Sequence, residues 1–330
     1  MINPGNSIRW GILACGKIAR KFADDLAFVS DAQLTAVSSR DIHRAEEFAS
    51  HYPGSKAFGS YEEMLSSGLI DVVYVASPHG LHHAHTLLCL EAGIPVLCEK
   101  AFAVNGRQVS EMIQKAKEKN LFLMEALWTR FHPSVAKVLD IIESGKIGQI
   151  RHVAADFGFK AEYDVESRLF NPVLTGGSLM DIGIYPLFIS KLLLGQPKTL
   201  LATGTMAPTG VDMNCAIATS YESGATATLF STLAAQTDTT CTIYGSQGKI
   251  MMHSRFHETF GITVTLESGE VEEFECERKG WGYSYEAEAV QADLRAGRLE
   301  NKWMTHQFSQ ELMGLLDEIR KQVGLVYPNE

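Results

Sequence analysis

Three short segments of this chain carry residue types that can move a proton. Pro95-Val96-Leu97-Cys98 is an apolar run that ends in Glu99-Lys100. A lysine that leaves a buried strand at a cleft is a proton-transfer candidate, because desolvation and neighbouring charge lower its pKa. A rim ion pair with Glu99 explains the same position equally well. Thr175-Gly176-Gly177-Ser178-Leu179-Met180-Asp181-Ile182-Gly183-Ile184-Tyr185 is a glycine loop that enters a helix pattern. Asp181 and Tyr185 are four apart, so a helix sets both on one face. An acid beside a phenol can hold and deprotonate a hydroxyl; a helix-start acid beside a packing tyrosine is the plainer reading. Ser77-Pro78-His79-Gly80-Leu81-His82 follows the β-branched run Asp71–Ala76. Ligands bind at the carboxyl ends of strands in parallel sheets.

A fourth segment binds rather than reacts. Ile8–Leu13 reads as a buried strand, and Ala14-Cys15-Gly16-Lys17-Ile18-Ala19 then opens a helix through Phe22 and Leu26. The spacing is that of the dinucleotide fingerprint, G-x-G-x-x-G/A. Gly16 lets the backbone approach a pyrophosphate, and Ala19 lets the helix pack close to the strand. The helix N-terminus with Lys17 and Ile18 offers N–H groups to phosphates. Ala14 replaces the first glycine, which is tolerable at negative φ. The second strand ends at Ser39-Arg40, where an NAD site places an acid for the ribose. A hydroxyl beside a guanidinium suits a 2′-phosphate instead, so the expectation is NADP over NAD, with Arg44 adding a second charge. A solvated loop arginine is the alternative for Arg40, but it leaves the missing acid unexplained.

At 330 residues the chain holds two ordinary domains, and its net charge of −10 argues against nucleic acid as a partner. Cysteines 15, 89, 98, 215, 241 and 276 form no CxxC and no Cys/His cluster at metal spacing. They read as reduced thiols of a cytoplasmic protein, with no metal expected. Met1–Asn6 has no apolar signal region, and no apolar run reads as long enough to span a bilayer.

Strand and helix patterns alternate through the first third, as in a doubly wound α/β parallel sheet of the Rossmann type. Beyond it the chain shows longer strands joined by turns such as Glu222-Ser223-Gly224 and Glu267-Ser268-Gly269. The expected organisation is a dinucleotide-binding domain over 1–125 and, over 126–330, an α+β domain with a large, mostly antiparallel open sheet. Helices are expected over 177–194, 285–296 and 306–322, the last one free to pack back on the first domain.

These segments together resemble the glucose–fructose oxidoreductase / inositol dehydrogenase (Gfo/Idh/MocA) family over nearly the whole chain. Glu99-Lys100 is similar to its E-K-P signature, and Asp181-Ile182-Gly183-Ile184-Tyr185 to its D-x-G-x-H/Y helix. Glu125-Ala126-Leu127-Trp128-Thr129-Arg130-Phe131-His132-Pro133 resembles the E-A-x-W-T-R-F-x-P of a dimeric, diol- and sugar-oxidising branch, as does Val37-Ser38-Ser39-Arg40-Asp41. The resemblance implies hydride transfer between a carbinol carbon of a cyclic diol or sugar and nicotinamide C4. Tyr185 would exchange the proton, Lys100 would lower the phenol's pKa, and Asp181 would position the substrate or Lys100. The implied cofactor contacts are Ala14, Gly16, Lys17, Ile18, Ser39, Arg40, Arg44, Ser77, His79, His82, Glu99 and Lys100. Trp128 and Phe157 would be apolar walls for a small-molecule substrate, with Arg130 and Lys160 as further cleft residues. A homodimer through the C-terminal sheet is implied by the branch. An aldose or inositol dehydrogenase using NAD, and a non-catalytic dinucleotide sensor, stay as rival readings. Ala101 replaces the signature proline and leaves open whether the Lys100–Ala101 peptide is cis.

Overall fold

The computed structural model describes residues 7–328 and 330. They form two compact units: the described residues up to Trp128 with Arg278–Gln310, and Thr129–Glu277 with Glu311–Glu330. The first unit thus takes a segment from the far end of the chain, beyond the boundary that composition marks near residue 126.

In the first unit β1 (Ile8–Leu13), α1 (Lys17–Asp25), β2 (Ala32–Ser38), α2 (Ile42–Ser50), β3 (Lys56–Phe58), α3 (Tyr61–Leu65), β4 (Val72–Val75), α4 (His82–Glu91), β5 (Val96–Glu99), α5 (Gly106–Lys119) and β6 (Leu123–Ala126) alternate. The six strands are parallel, in the order β3-β2-β1-β4-β5-β6. The order reverses between β1 and β4, which leaves a crevice at their carboxyl ends. Local chemistry sets the helix starts. Asp41 caps α2 through the His43 amide at 3.0 Å, Ser60 caps α3 through Glu63 at 3.2 Å, and Asn105 caps α5 through Gln108 at 3.0 Å. The core begins with Trp10 edge-on to Phe22 at 5.2 Å and Phe22 stacked on Tyr74 at 3.9 Å, all fully buried. The late segment is held by one buried carboxylate. Asp25 accepts from the amides of Trp281 (2.8 Å), Tyr283 (2.7 Å) and Ser284 (3.3 Å). An anion thereby sits at the N-terminus of α8 (Ser284–Arg295).

The second unit contains α6 (Pro133–Glu143), β7 (Ile150–Gly158), α7 (Ile184–Leu194), β8 (Thr199–Met206), β9 (Asp212–Ser220), β10 (Thr226–Thr232), β11 (Cys241–Gly245), β12 (Gly248–Met252), β13 (Gly261–Leu266) and β14 (Val271–Glu275). The division between the units falls inside α9 (His306–Val323). The eight strands run in the order β14-β13-β12-β11-β7-β10-β9-β8, antiparallel except for the β7–β10 pair. Both expected turns end on a glycine at positive φ, Gly224 (+82°) and Gly269 (+89°). The chain is therefore α/β, a doubly wound parallel sheet followed by a mostly antiparallel one.

Two expectations change. The stretch Pro172–Leu194 is long and apolar enough to cross a membrane, and 83% of its most apolar window is buried inside the fold. It is the core helix of the second unit. The helix expected over 177–194 is also not uniform: Leu179–Gly183 is one π turn, and α7 follows. Asp181 lies in that turn, so the four-residue spacing to Tyr185 is not the i, i+4 relation of a regular α-helix.

Candidate active site

The glycine turn has the form that a pyrophosphate requires. Helix α1 starts after Gly16 with no side-chain cap and no acid in its first turn. Its first N–H groups are thus left for an external anion. A Cβ built on Gly16 meets nothing within 4 Å, so the space in front of the turn is open. A groove of about 430 Å³ there is bordered by Cys15, Gly16, Lys17, Arg20, Arg44 and Trp281. The residues present therefore fit a dinucleotide's phosphates. Ala14 contradicts the expectation of a negative φ: it sits at +76°, the left-handed region that glycine occupies elsewhere. The Ala14 amide donates to the Ser38 carbonyl at 3.0 Å, and its own carbonyl accepts from Gly16 at 3.1 Å. These bonds fix the turn in the shape that the missing glycine would take.

At the end of β2, Ser39 is buried and Arg40 and Arg44 are exposed. Arg40 lies against the Tyr61 hydroxyl. The Tyr61 ring stands edge-on to the His85 imidazole at 4.9 Å, and His85 Nδ1 lies 2.9 Å from Ser77 Oγ. Burial pushes the His85 pKa down, and the Arg40 charge adds to that. Tyr61 and His85 were not legible as site residues: neither lies in a motif, and β3, which brings α3 alongside β2, is only three residues long.

His79 is buried in a turn over 79–81, with its ring 5.5 Å from that of His82. His82 is 0% exposed. Its Nδ1 is 2.8 Å from the Ala101 carbonyl and its Nε2 2.7 Å from the Ser77 carbonyl. Burial drives its pKa down to about 4. What this side chain does is tie the Lys100 segment to the Ser77 loop. The Lys100–Ala101 peptide is cis. Glu99 is buried; it accepts from the Tyr74 hydroxyl and, at 3.2 Å, from the Lys100 amide. Glu125 on β6 accepts from the Phe102 amide at 3.1 Å. Lys100 is half-buried and thus held on both flanks by carboxylates. Trp128 is 5% exposed and stacks on Tyr283 with centroids 4.4 Å apart.

In the second unit Tyr185 lies on the first turn of α7, its ring 5.6 Å from Phe157 and 4.9 Å from His257. Phe157 stacks on His257 at 4.3 Å, and the His257 carbonyl accepts from Thr129 Oγ1 at 2.7 Å. Asp181 accepts two bonds from Arg168, at 3.1 and 3.0 Å. This is the forked geometry that holds a carboxylate at fixed orientation. Burial lowers the pKa of Arg130, and Lys160 is exposed. His257 and Arg168 carry no spacing signal; they reach Tyr185 and Asp181 through loops that sequence patterns do not assemble.

A parallel sheet with an open, uncapped phosphate turn at its switch point defines a dinucleotide-binding oxidoreductase. Residues 8–127 match the family described as "Oxidoreductase family, NAD-binding Rossmann fold", and residues 135–251 match the "GFO/IDH/MocA C-terminal domain". The chain belongs to this Gfo/Idh/MocA family and is an NAD(P)-dependent dehydrogenase. It is 35% identical to trans-1,2-dihydrobenzene-1,2-diol dehydrogenase of Bos taurus, over 98% of this chain and 99% of that one. It is 34% identical to D-xylose 1-dehydrogenase (NADP(+)) of Hypocrea jecorina, over 98% and 93%. Among solved structures it is similar to a 3-ketoreductase from Actinomadura kijaniata in complex with NADP and TDP-benzene. That likeness has a TM-score of 0.87 and 26% identity and covers 96% of this chain and 98% of the other.

Proposed function

We propose that this protein is an NADP-dependent dehydrogenase that oxidises a carbinol carbon of a cyclic diol or a sugar. The observation that carries the cofactor choice is Arg40 beside a buried Ser39 at the end of β2, with Arg44 one helical turn on and no carboxylate at that position. The bound nicotinamide supplies the hydride acceptor. The first unit holds the dinucleotide, with Gly16, Lys17 and Ile18 on its phosphates and Ser77, His79 and Glu99 among its further contacts. In this reading Tyr185 exchanges the proton of the reacting hydroxyl, and Lys100 hydrogen-bonds the same oxygen. Asp181, oriented by Arg168, positions a substrate hydroxyl. Phe157 supplies an apolar wall, and Trp128 and Arg130 complete the substrate set. The six free cysteines suit a reducing, cytoplasmic setting.

Of the two substrate classes, the sugar is supported by the likeness to the xylose dehydrogenase and the cyclic diol by the likeness to the dihydrodiol dehydrogenase. Turnover with a panel of cyclic trans-diols and aldoses, read by nicotinamide absorbance with NADP and NAD in parallel, tests both. NADP reduction with either class supports the proposal; binding of the dinucleotide with no turnover on any of them favours a sensor.

A homodimer through the second sheet completes the proposal. Leu201, Ala218, Thr228, Ala154, Thr242 and Met251 are cross-strand neighbours in one row. Leu201 is 69% exposed and Met251 38%, and a groove of about 620 Å³ lies along this face. Phe230, 36% exposed and two residues from Thr228 on β10, lines the same groove; sedimentation should show a dimer that Phe230→Glu dissociates. A wild-type monomer at every concentration would refute it.

A further inference from the structure

We infer that His85 and Tyr61 extend the proposed cofactor site, with protonated His85 joining Arg40 in holding the 2′-phosphate of NADP. The inference rests on the NADP reading above. Its geometry is independent of the fingerprint motif. Tyr61 heads α3, its ring edge-on to His85 at 4.9 Å and its hydroxyl against Arg40. His85 Nδ1 contacts Ser77 Oγ at 2.9 Å, and Ser77 lies at the carboxyl end of β4, on the crevice. Both rings are half-buried. The His85–Tyr61 pair therefore links the Ser77 loop to Arg40 at the end of β2, where the phosphate is expected.

The charges that face His85 decide how it behaves. Arg40 opposes its protonation, and Glu62 on α3 favours it more weakly. His82, on the same helix, is buried and neutral near pH 7. Tyr61 is held neutral by burial, with Cys15 beyond it. The ligand-free balance is thus set against a proton on His85. A 2′-phosphate brings nearly two negative charges to Arg40. It neutralises the opposing guanidinium and attracts a proton to the imidazole. Protonation at His85 and NADP binding then strengthen each other, and linkage makes the effect reciprocal. Each pH unit by which the bound pKa exceeds the free one is worth about tenfold in affinity. NAD has no 2′-phosphate and leaves His85 unchanged.

The test is the dissociation constant of NADP and of NAD, by calorimetry from pH 5.5 to 8, for the wild-type protein and His85→Gln. Glutamine keeps a polar group near Ser77 but takes up no proton. The phosphate's own ionisation weakens binding to both proteins as pH falls, so it cancels in their ratio. The NADP affinity ratio of wild type to variant should rise about three- to tenfold towards low pH, and the NAD ratio should stay flat. In the wild-type protein the ¹⁵N-labelled imidazole of His85 should titrate at higher pH with NADP bound than with NAD bound, a readout that needs no variant. An NADP ratio as flat as the NAD ratio, or an imidazole titration equal in the two complexes, overturns the role of His85 and leaves the NADP reading standing. Absence of NADP binding at every pH overturns that reading first, and this inference with it.

Discussion

Glu125 offers the sharpest test of the electrostatics around Lys100. Its side chain is fully buried at the end of β6, and burial pushes its pKa from an ordinary 4.5 up to about 7. Bonds from Ser309 and the Phe102 amide act against that rise; the Glu99 charge adds to it and the Lys100 charge reduces it. The folded pKa is raised, so the folded state holds a proton that the unfolded state releases between pH 4.5 and 7. Stability from this group is greatest below pH 4.5, falls through that window and is level above it. At about 1.4 kcal/mol per pH unit, the loss is about 3 kcal/mol. Glu125→Gln keeps an acceptor for the Phe102 amide and carries no charge at any pH. Calorimetric melting should find the variant within about 2 °C of wild type at pH 5 and about 5–10 °C above it at pH 8. Glu286, also buried, has its pKa raised by burial and then by Glu99 and Asp25, so it contributes a slope of the same sign. That slope is common to both proteins and drops out of the difference. A Tm difference that does not change with pH would mean that Glu125 has the same protonation in both states, and would refute the argument.

Tyr185→Phe should lower kcat by about a hundredfold or more while the NADP Kd stays within about twofold, measured by steady-state rates and calorimetry. An unchanged kcat removes the phenol from the proton step. Arg40→Ala should raise the KM for NADP about tenfold or more, as expected for loss of a charge-assisted bond, and leave NAD use nearly unchanged. Equal loss with both cofactors would exclude a 2′-phosphate contact. Ala14→Gly relieves a left-handed alanine and should raise Tm by about 2–4 °C, for about 1 kcal/mol. A lower Tm would show that the Ala14 turn carries no such cost.

Much of the architecture was legible because the physics is local. Alternating apolar runs gave the doubly wound sheet, and the longer strands joined by glycine turns gave the antiparallel one, with β13 and β14 flanking Gly269. The site was legible only where it lies in contiguous motifs. Tyr61, His85, Arg168 and His257 come to their partners through tertiary packing, and a residue's type does not announce that. Ala14 failed for a different reason. The rule that alanine avoids positive φ is a preference of about 1–2 kcal/mol, and the bonds to Ser38 and Gly16 outweigh it. The helix expected over 177–194 is regular only from Ile184, because Leu179–Gly183 is a π turn, and residue type does not announce a π turn.

The two glycine loops that stand out in the sequence look equivalent there, and their surroundings separate them. Gly177 has φ +111°, and a Cβ on it would lie 2.2 Å from Asp212 Oδ1. Gly176 is as crowded, with the Leu169 carbonyl 2.6 Å from its Cβ position. Asp212 is buried and accepts from Ser178 Oγ at 2.6 Å and the Leu179 amide at 2.8 Å. The Tyr327 hydroxyl donates to the Gly176 carbonyl at 2.7 Å. These glycines are needed because protein fills the space a side chain would take, and the result is a fixed entry to the turn that carries Asp181. Gly16 lacks a side chain for the opposite reason: among the described residues no atom lies within 4 Å of its Cβ position, while the uncapped end of α1 points there. A crowded glycine marks scaffold, and an uncrowded one beside unsatisfied N–H groups marks where a ligand belongs.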